Sequence, residues 1–398
     1  MRSRSSATYD ALVIGARCAG AATAMLMARR GMRVLAVDRG AYGSDTLSTH
    51  ALMRGGVLQL HRWGLLPRLA ALGTPAVRNT IFHYGEEVVD IDIRPSDGVD
   101  ALYAPRRTVL DALLVDAAWS AGAEVRHGHS LIELVRRPDG RIAGAVLADP
   151  EGRRVEIAAD LVVGADGIAS TVARQVEAPV TREARHTTAV IYGYWSGLGW
   201  RTAYNWLFRP GSSAGAIATN DGAHCVFAAI PPARFRDSLR QDMAAGFREV
   251  VAEVSPALAE AVAGARLEGR LWAFAGRRGF LRRPYGSGWA LVGDAAYFKD
   301  PLTAHGITDA FRDAELLAAA AAEGTEEAFA AYERTRNALS MPLFEATEAI
   351  ASFEWDIEAV KRHHLALNKA MRPEVEHLVA LGPAPRAAAS PLTGEIAA

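Results

Sequence analysis

Tyr9-Asp10-Ala11-Leu12-Val13-Ile14-Gly15-Ala16-Arg17-Cys18-Ala19-Gly20 is the stretch from which the rest of the chain can be read. Tyr9–Ile14 is short and apolar and is flanked by Asp10 and Gly15, as a strand buried on both faces would be. Cys18–Arg30 then carries small residues along one side and stops at Gly31, the pattern of a helix with a glycine at its end. Arg33–Asp38 is a second apolar run, so the chain opens with a strand–helix–strand unit. Gly15 allows the tight turn, and the helix N-terminus offers free N–H groups and a positive dipole end to a pyrophosphate. Gly20 lets helix and sheet approach closely, and Asp38 can accept hydrogen bonds from a ribose. A dinucleotide site is therefore expected. Arg17 stands where a middle glycine is usual, so its side chain must point away from the pyrophosphate or fold over it.

Outward from this unit, 398 residues suit a two-domain enzyme better than a single core. Half of the residues are hydrophobic and 22% are charged, the composition of a folded globular chain. A formal net charge of -1 gives no footprint for nucleic acid or an anionic membrane surface. The apolar stretch Ala11–Ala28 is interrupted by Arg17 and carries Gly15 and Gly20, so we read it as a packed turn rather than a membrane span. Cys18 and Cys225 form no CxxC pair and no disulfide framework, which suits a reducing, cytoplasmic compartment. No spacing suggests a metal site.

Further along, Thr46–Trp63 reads as a loop running into a helix, and Asn79–Ile93 as paired strands turning at Gly85. Arg107–Ala121 is helical and Glu124–His127 a strand. Leu131–Val135, Ile142–Ala148 and Arg153–Ile157 form a meander, and Leu161–Gly164 is one more buried strand. Thr187–Ile230 is rich in aromatic and β-branched residues, with a hairpin signal at Asn220-Asp221-Gly222. Ala290–Val292 is a buried strand and Gly306–Ala322 a helix. Glu326–Val379 is helical with a break near Met341-Pro342.

Two more motifs follow the first in order: Gly164-Ala165-Asp166-Gly167, and Gly293-Asp294-Ala295-Ala296 continuing through Pro301 to Gly306. With the first glycine loop they resemble FAD-dependent monooxygenases of the para-hydroxybenzoate hydroxylase fold, and the related geranylgeranyl reductases and flavin halogenases. The resemblance spans roughly Tyr9 to Ala320. It implies an α/β fold: a discontinuous Rossmann-type FAD domain (8–80, 105–180 and 281–325) with an inserted β-sheet substrate domain (81–104 and 181–280). C-terminal helices (326–380) and a mobile tail (381–398) complete it.

The resemblance also implies roles. Gly15, Arg17, Cys18, Ala19 and Gly20 would lie at the FAD pyrophosphate, with Asp38 and Arg39 at the next strand end. Asp166 would belong to a second fingerprint near both FAD and a passing NADPH or NADH. Gly293 and Asp294 would meet the ribityl chain. Pro301 and His305 would lie against the isoalloxazine, with the helix N-terminus at Gly306 and Ile307 facing it. Arg107, opening a helix, either contacts FAD or forms a salt bridge. His50 reads equally as a structural or an active-site histidine. Tyr192, Tyr194, Trp206 and Phe208 belong to a core or to a substrate cavity; His50, Tyr192, Pro301 and His305 are taken as the catalytic candidates.

The first function implied is NAD(P)H-driven hydroxylation or epoxidation of an aromatic, polycyclic or polyketide-like molecule with molecular oxygen, through a flavin C4a-hydroperoxide. The alternative is reduction of isoprenoid double bonds, because Asp300-Pro301-Leu302-Thr303 is closer to the reductase branch. A halogenase is disfavoured: Trp-x-Trp-x-Ile-Pro is absent, and no lysine precedes Lys299. A non-catalytic flavin-binding protein would need an FAD site but no open cavity beside it.

Overall fold

The computed structural model describes residues 9–239 and 242–383; the expected loose start at Met1–Ala7 and residues 384–398 of the expected tail lie outside them. The opening unit forms as read: β1 (Tyr9–Ile14), α1 (Cys18–Ala28) and β2 (Val34–Asp38). There follow α2 (Arg54–Arg62), α3 (Leu66–Ala71), the hairpin β3 (Asn79–Tyr84) and β4 (Glu87–Asp92), α4 (Arg107–Ser120) and β5 (Glu124–His127). Next come β6 (Ser130–Arg136), β7 (Ile142–Ala148) and β8 (Arg154–Gly164). Here the sequence reading needs correction. Arg153–Ile157 and Leu161–Gly164 are not two strands but halves of β8. Its first half pairs antiparallel with β7, and its second half pairs parallel with β1.

Beyond α5 (Thr171–Gln175) and β9 (Val180–Glu183), four strands follow in succession: β10 (Ala189–Ser196), β11 (Tyr204–Arg209), β12 (Ser212–Ala218) and β13 (Ala223–Ile230). The expected hairpin at Asn220-Asp221-Gly222 is present, with Asp221 and Gly222 at φ of 61° and 67°. Helices α6 (Pro232–Arg234), α7 (Met243–Val254) and α8 (Pro256–Gly264) lead to β14 (Arg266–Phe274), β15 (Phe280–Arg282), β16 (Tyr285–Gly286), β17 (Trp289–Leu291) and β18 (Tyr297–Phe298). The last helices are α9 (Gly306–Glu323), α10 (Glu326–Ala351) and α11 (Ile357–Ala380).

One sheet runs β16-β17-β8-β1-β2-β5, with β6 and β7 attached to its side. All pairs from β17 to β5 are parallel. That demands cover on both faces and explains why β1 and β2 are apolar throughout their centres. The second sheet runs β14-β10-β13-β12-β11-β3-β4. Its period-2 alternation divides two cores. Tyr192, Tyr194, Tyr204, Trp206, Phe208 and Phe227 join the core shared with α1, α2 and α4. Ile191, Leu207, Val226 and Ala228 pack under α7 and α8 instead.

The expected break near Met341-Pro342 is also corrected. Helix α10 continues through Pro342, because Ser340, Leu343, Phe344 and Thr347 are buried there and packing outweighs the one lost backbone bond. The chain breaks instead at Phe353, in a left-handed conformation at φ 54°, before Asp356 caps α11 through the Ala359 N–H. The start of the expected tail is not loose either: the Gly382 carbonyl accepts Arg62 Nε at 2.7 Å.

Candidate functional site

The first glycine loop is built on close approach. Gly15 sits at φ +101°, where a Cβ would stand 2.4 Å from the Ala165 carbonyl oxygen. A Cβ on Gly20 would stand 1.7 Å from the Gly15 oxygen. A Cβ on Gly293, at φ +59°, would meet Ala19 Cβ at 2.8 Å. The three sequence motifs therefore touch one another. Helix α1 has no side-chain cap and no acidic residue in its first turn, so N–H groups at Cys18, Ala19 and Gly20 remain for an anion.

Arg17 folds away from this helix end. Its guanidinium bonds the Ser44 carbonyl, Ser44 Oγ and Asp111 Oδ2, each at 3.0 Å. Asp111 is the residue that sequence reading missed. It also takes two bonds from Arg107, at 3.0 and 3.1 Å, and one from Cys18 Sγ at 3.1 Å. The i,i+4 spacing of Arg107 and Asp111 on a helix was the available signal. Burial works against the Arg107 charge, but Asp111 outweighs it and holds the guanidinium above its usual range. Burial pushes the Cys18 thiol well up, so it stays a neutral donor.

Two expected ligand acceptors are already engaged by protein. Asp38 receives the Ala16 N–H at 2.8 Å on one oxygen and the Gly40 N–H at 2.7 Å on the other. It braces the glycine loop and has only its second lone pairs to spare for a ribose. Arg39 beyond it is exposed. Asp166 caps α5, accepting Ser170 Oγ at 2.5 Å, Thr171 N at 2.6 Å and Val172 N at 3.2 Å. All three bonds tie it to the start of α5. Arg174 is likewise tied, to the Ala169 carbonyl and Thr171 Oγ1.

Asp294 is the opposite case. Among the described residues its carboxylate makes no hydrogen bond, although it lies deep in the fold and only part of it reaches solvent. Burial pushes its pKa up to about 6, against the pull of Lys299 and Arg107. A half-buried carboxylate with no hydrogen bond from the described residues, between a bared helix end and Arg107, fits a ligand that brings hydroxyl donors, as the ribityl chain of FAD does.

The segment after it turns sharply. Asp300 caps the short Pro301–Thr303 turn through the Leu302 N–H and also holds Thr188 by its N–H at 2.6 Å and its hydroxyl at 2.7 Å. Ala304 is left-handed at φ 50°. Helix α9 then begins at an exposed Gly306 and a half-buried Ile307, with no side-chain cap, leaving its positive end open.

His305 is placed otherwise than a freely accessible catalytic histidine would be. It is buried, with Nε2 2.6 Å from Glu374 Oε2 on α11. Arg312 joins the same group, bonding Glu374 Oε1 at 2.8 Å, Asp309 Oδ1 at 2.9 Å and Asp313 Oδ1 at 2.7 Å, and Lys299 pairs with Asp309. His305, Asp309 and Glu374 bring three metal-capable groups within 4.8 Å, which sequence spacing could not reveal. Lys299 and Arg312 already neutralise these carboxylates, so we read an ion-pair network rather than a metal centre.

The second-sheet wall carries the remaining candidates. Tyr192 Oη accepts the Ser48 N–H at 2.8 Å, which ties the 44–50 loop to β10. His50, at φ 46°, stacks on Tyr194 at 5.5 Å, and Arg106 lies 3.6 Å over the same Tyr194 ring while pairing with Asp45 at 3.1 Å. Burial, with Arg106 and Arg107 nearby, pushes His50 down to about 3, so it is neutral. Both His50 ring nitrogens, Tyr194 Oη and Arg106 Nε are buried without a well-formed hydrogen bond. Trp206 Nε1 is satisfied by Thr80, and Phe208 packs on Trp355, so these two belong to the core side of the wall.

The family model described as FAD binding domain matches residues 8–347. A digeranylgeranylglycerophospholipid reductase 2 of Methanopyrus kandleri is 27% identical over 336 residues, covering 80% of this chain and 78% of its own. A triple mutant of the flavin-dependent brominase Bmp2 superposes with a TM-score of 0.78 at 18% identity, covering 94% of both chains. PqsL, a probable FAD-dependent monooxygenase from Pseudomonas aeruginosa, superposes with a TM-score of 0.75 at 20% identity, covering 90% of this chain and 99% of its own. At such identities the two structures speak for the fold alone.

Proposed function

The chain belongs to the FAD binding domain family and is an FAD-dependent oxidoreductase, and from that premise we propose that it is an NADPH- or NADH-driven monooxygenase acting on an aromatic or polyketide-like small molecule. FAD would be held by the bare N-terminus of α1 at its pyrophosphate, by Asp38 at its ribose edge, by Asp294 and Arg107 along its ribityl chain, and by Gly306 and Ile307 at its ring. Bound FAD supplies the redox chemistry, passing two electrons from the nicotinamide to molecular oxygen, one atom of which enters the substrate while the other leaves as water.

The protein's part is orientation and exclusion of water. The observation that carries the reading is the wall around Tyr194. It is aromatic, yet holds four buried polar atoms without a well-formed hydrogen bond: the two His50 nitrogens, one of which approaches the Ala104 backbone, Tyr194 Oη and Arg106 Nε. A planar substrate with polar substituents would satisfy such a wall. The neutral His50 and Tyr194 offer donors and acceptors without charge, and the Tyr192–Ser48 bond holds the intervening loop against the sheet. With one glycine fingerprint in the chain, the nicotinamide nucleotide is a visitor rather than a resident. Two buried free thiols suit a cytoplasmic setting.

A second reading, a reductase of isoprenoid double bonds, is favoured by Asp300-Pro301-Leu302-Thr303 and by the archaeal relative named as a reductase. Oxygen separates the two. Purified protein with NADPH is given a panel of phenols and polycyclic aromatics under labelled oxygen, and separately a prenylated substrate without oxygen. Label in a hydroxylated product supports the monooxygenase; oxygen-independent loss of a double bond would overturn it.

A further inference from the structure

We propose that Glu374 and His305 form a buried dyad in which Glu374 is a positioning residue, holding the His305 proton on Nε2 and presenting bare Nδ1 as an acceptor for an N–H or O–H donor bound at the N-terminus of α9. The identity of the donor rests on reading that helix end as the flavin edge; the state of the dyad does not.

His305 Nε2 lies 2.6 Å from Glu374 Oε2. A carboxylate can only accept, so Nε2 is the nitrogen that donates. Glu374 is kept ionised: burial alone would raise its pKa, but the hydrogen bond it accepts from His305 and the charge of Arg312, which bonds its other oxygen at 2.8 Å, hold it down. The second ring nitrogen, Nδ1, is buried and has no partner. Lys299 and Arg312 face Asp309, Asp313 and Glu374 in this cluster, so what opposes a second proton is burial: on Nδ1 it would be a charged N–H with no acceptor. The neutral ring avoids this, and burial pushes His305 toward it. What remains is an empty, buried lone pair.

Its place argues for a ligand. His305 is the residue from which α9 starts, between left-handed Ala304 and exposed Gly306. The dyad is assembled from far apart. Glu374 comes from α11, and α2 comes close enough that a Cβ on Gly55 would stand 3.1 Å from Glu374 Oε2 and 2.9 Å from Thr308 Cγ2. Three helices thus meet to orient one imidazole at an open helix end. Of the described histidines with an unbonded buried nitrogen, His305 is the one that stands at the start of α9 with its other nitrogen held by a carboxylate.

The test reads the tautomer directly. Holoenzyme labelled with 15N-histidine is compared with His305→Gln to assign the ring. The expected wild-type signal is a neutral imidazole protonated on Nε2 and bare on Nδ1, unchanged between about pH 6 and 9, a range in which an ordinary histidine loses its proton. Removing FAD should move the Nδ1 resonance if the donor is on the flavin. If FAD leaves it unmoved, phenol added to the holoenzyme should move it, placing the donor on the substrate. In Glu374→Gln, whose amide can accept or donate, the tautomers should mix while FAD content and melting temperature report whether the fold survives. A wild-type proton on Nδ1, an imidazolium across that range, or an Nδ1 indifferent to both FAD and phenol would overturn the proposal. The wild-type spectrum decides even if the variant does not fold. A protein without flavin would refute the FAD reading, and the tautomer would still be measurable.

Discussion

Replacing Asp294 with alanine should make the apoprotein more stable and its FAD binding weaker at the same time. The unpartnered Asp294 carboxyl has its pKa pushed by burial up to about 6, whereas in an unfolded chain it ionises near the ordinary value of about 3.9. Between those two pH values the folded protein holds the extra proton, so its stability falls as pH rises. Above about 6 the penalty is complete, and below about 4 it vanishes. At about 1.4 kcal/mol per pKa unit, the ionised group costs the apoprotein up to ~3 kcal/mol at neutral pH. Asp294→Ala removes that cost, and apoprotein melting should rise by a few degrees at neutral pH with little change near pH 4. Loss of the acceptor should weaken FAD by about 1–3 kcal/mol, roughly 5- to 150-fold in Kd. Thermal melts of apoprotein across pH, with FAD titrations by fluorescence quenching, measure both. Asp38→Ala is the control, because Asp38 holds two backbone N–H groups and its loss should lower stability. A less stable Asp294→Ala apoprotein, or an unchanged FAD Kd, would refute the reasoning.

Asp111→Ala should cost about 3–5 kcal/mol in denaturant titrations, since it strands buried Arg107 and releases Arg17 and Cys18. Gly20→Ala should abolish FAD retention, because its Cβ would meet the Gly15 carbonyl at 1.7 Å. Gly306→Ala, with nothing within 4 Å, should keep its melting temperature and lose FAD affinity only if the ring lies against it. His50, pushed down to about 3, stays neutral in the fold while unfolded histidine protonates near about 6.5, so stability rises with pH across that window. His50→Gln should therefore flatten the acid limb of the stability curve by up to about 1.4 kcal/mol per pH unit, measured by melts at stepped pH.

The opening strand–helix–strand unit was legible because both periodicity and glycine placement point one way. Tyr9–Ile14 and Asp38 are found where the pattern put them. β8 was not legible as one strand, because Ala158-Ala159-Asp160 interrupts its apolar run just where the strand passes from one ladder to another. Pro342 misled because local propensity was read without the packing that overrides it, while the Asp356 cap that does open the next helix went unused. Within the site, residue types were readable and partners were not. Asp38 and Asp166 read as ligand acceptors, and the backbone N–H groups that each also accepts had no local signature. Glu374 lies 69 positions from His305, beyond any local pattern.

The continuity of β8 also bears on how the molecule is made. β1 lies between β2 and β8, and Ile14 pairs with Gly164. Until that late half of β8 leaves the ribosome, one edge of an apolar strand near the N-terminus has no neighbour. At roughly 5–20 residues per second, the intervening 150 residues take about 8–30 s to synthesise. Through that interval the nascent chain presents an unpaired, hydrophobic strand edge, the kind of surface that binds chaperones or other nascent chains. A translational pause before Gly164 would lengthen this exposure, whereas one after it would come when β1 already has both neighbours.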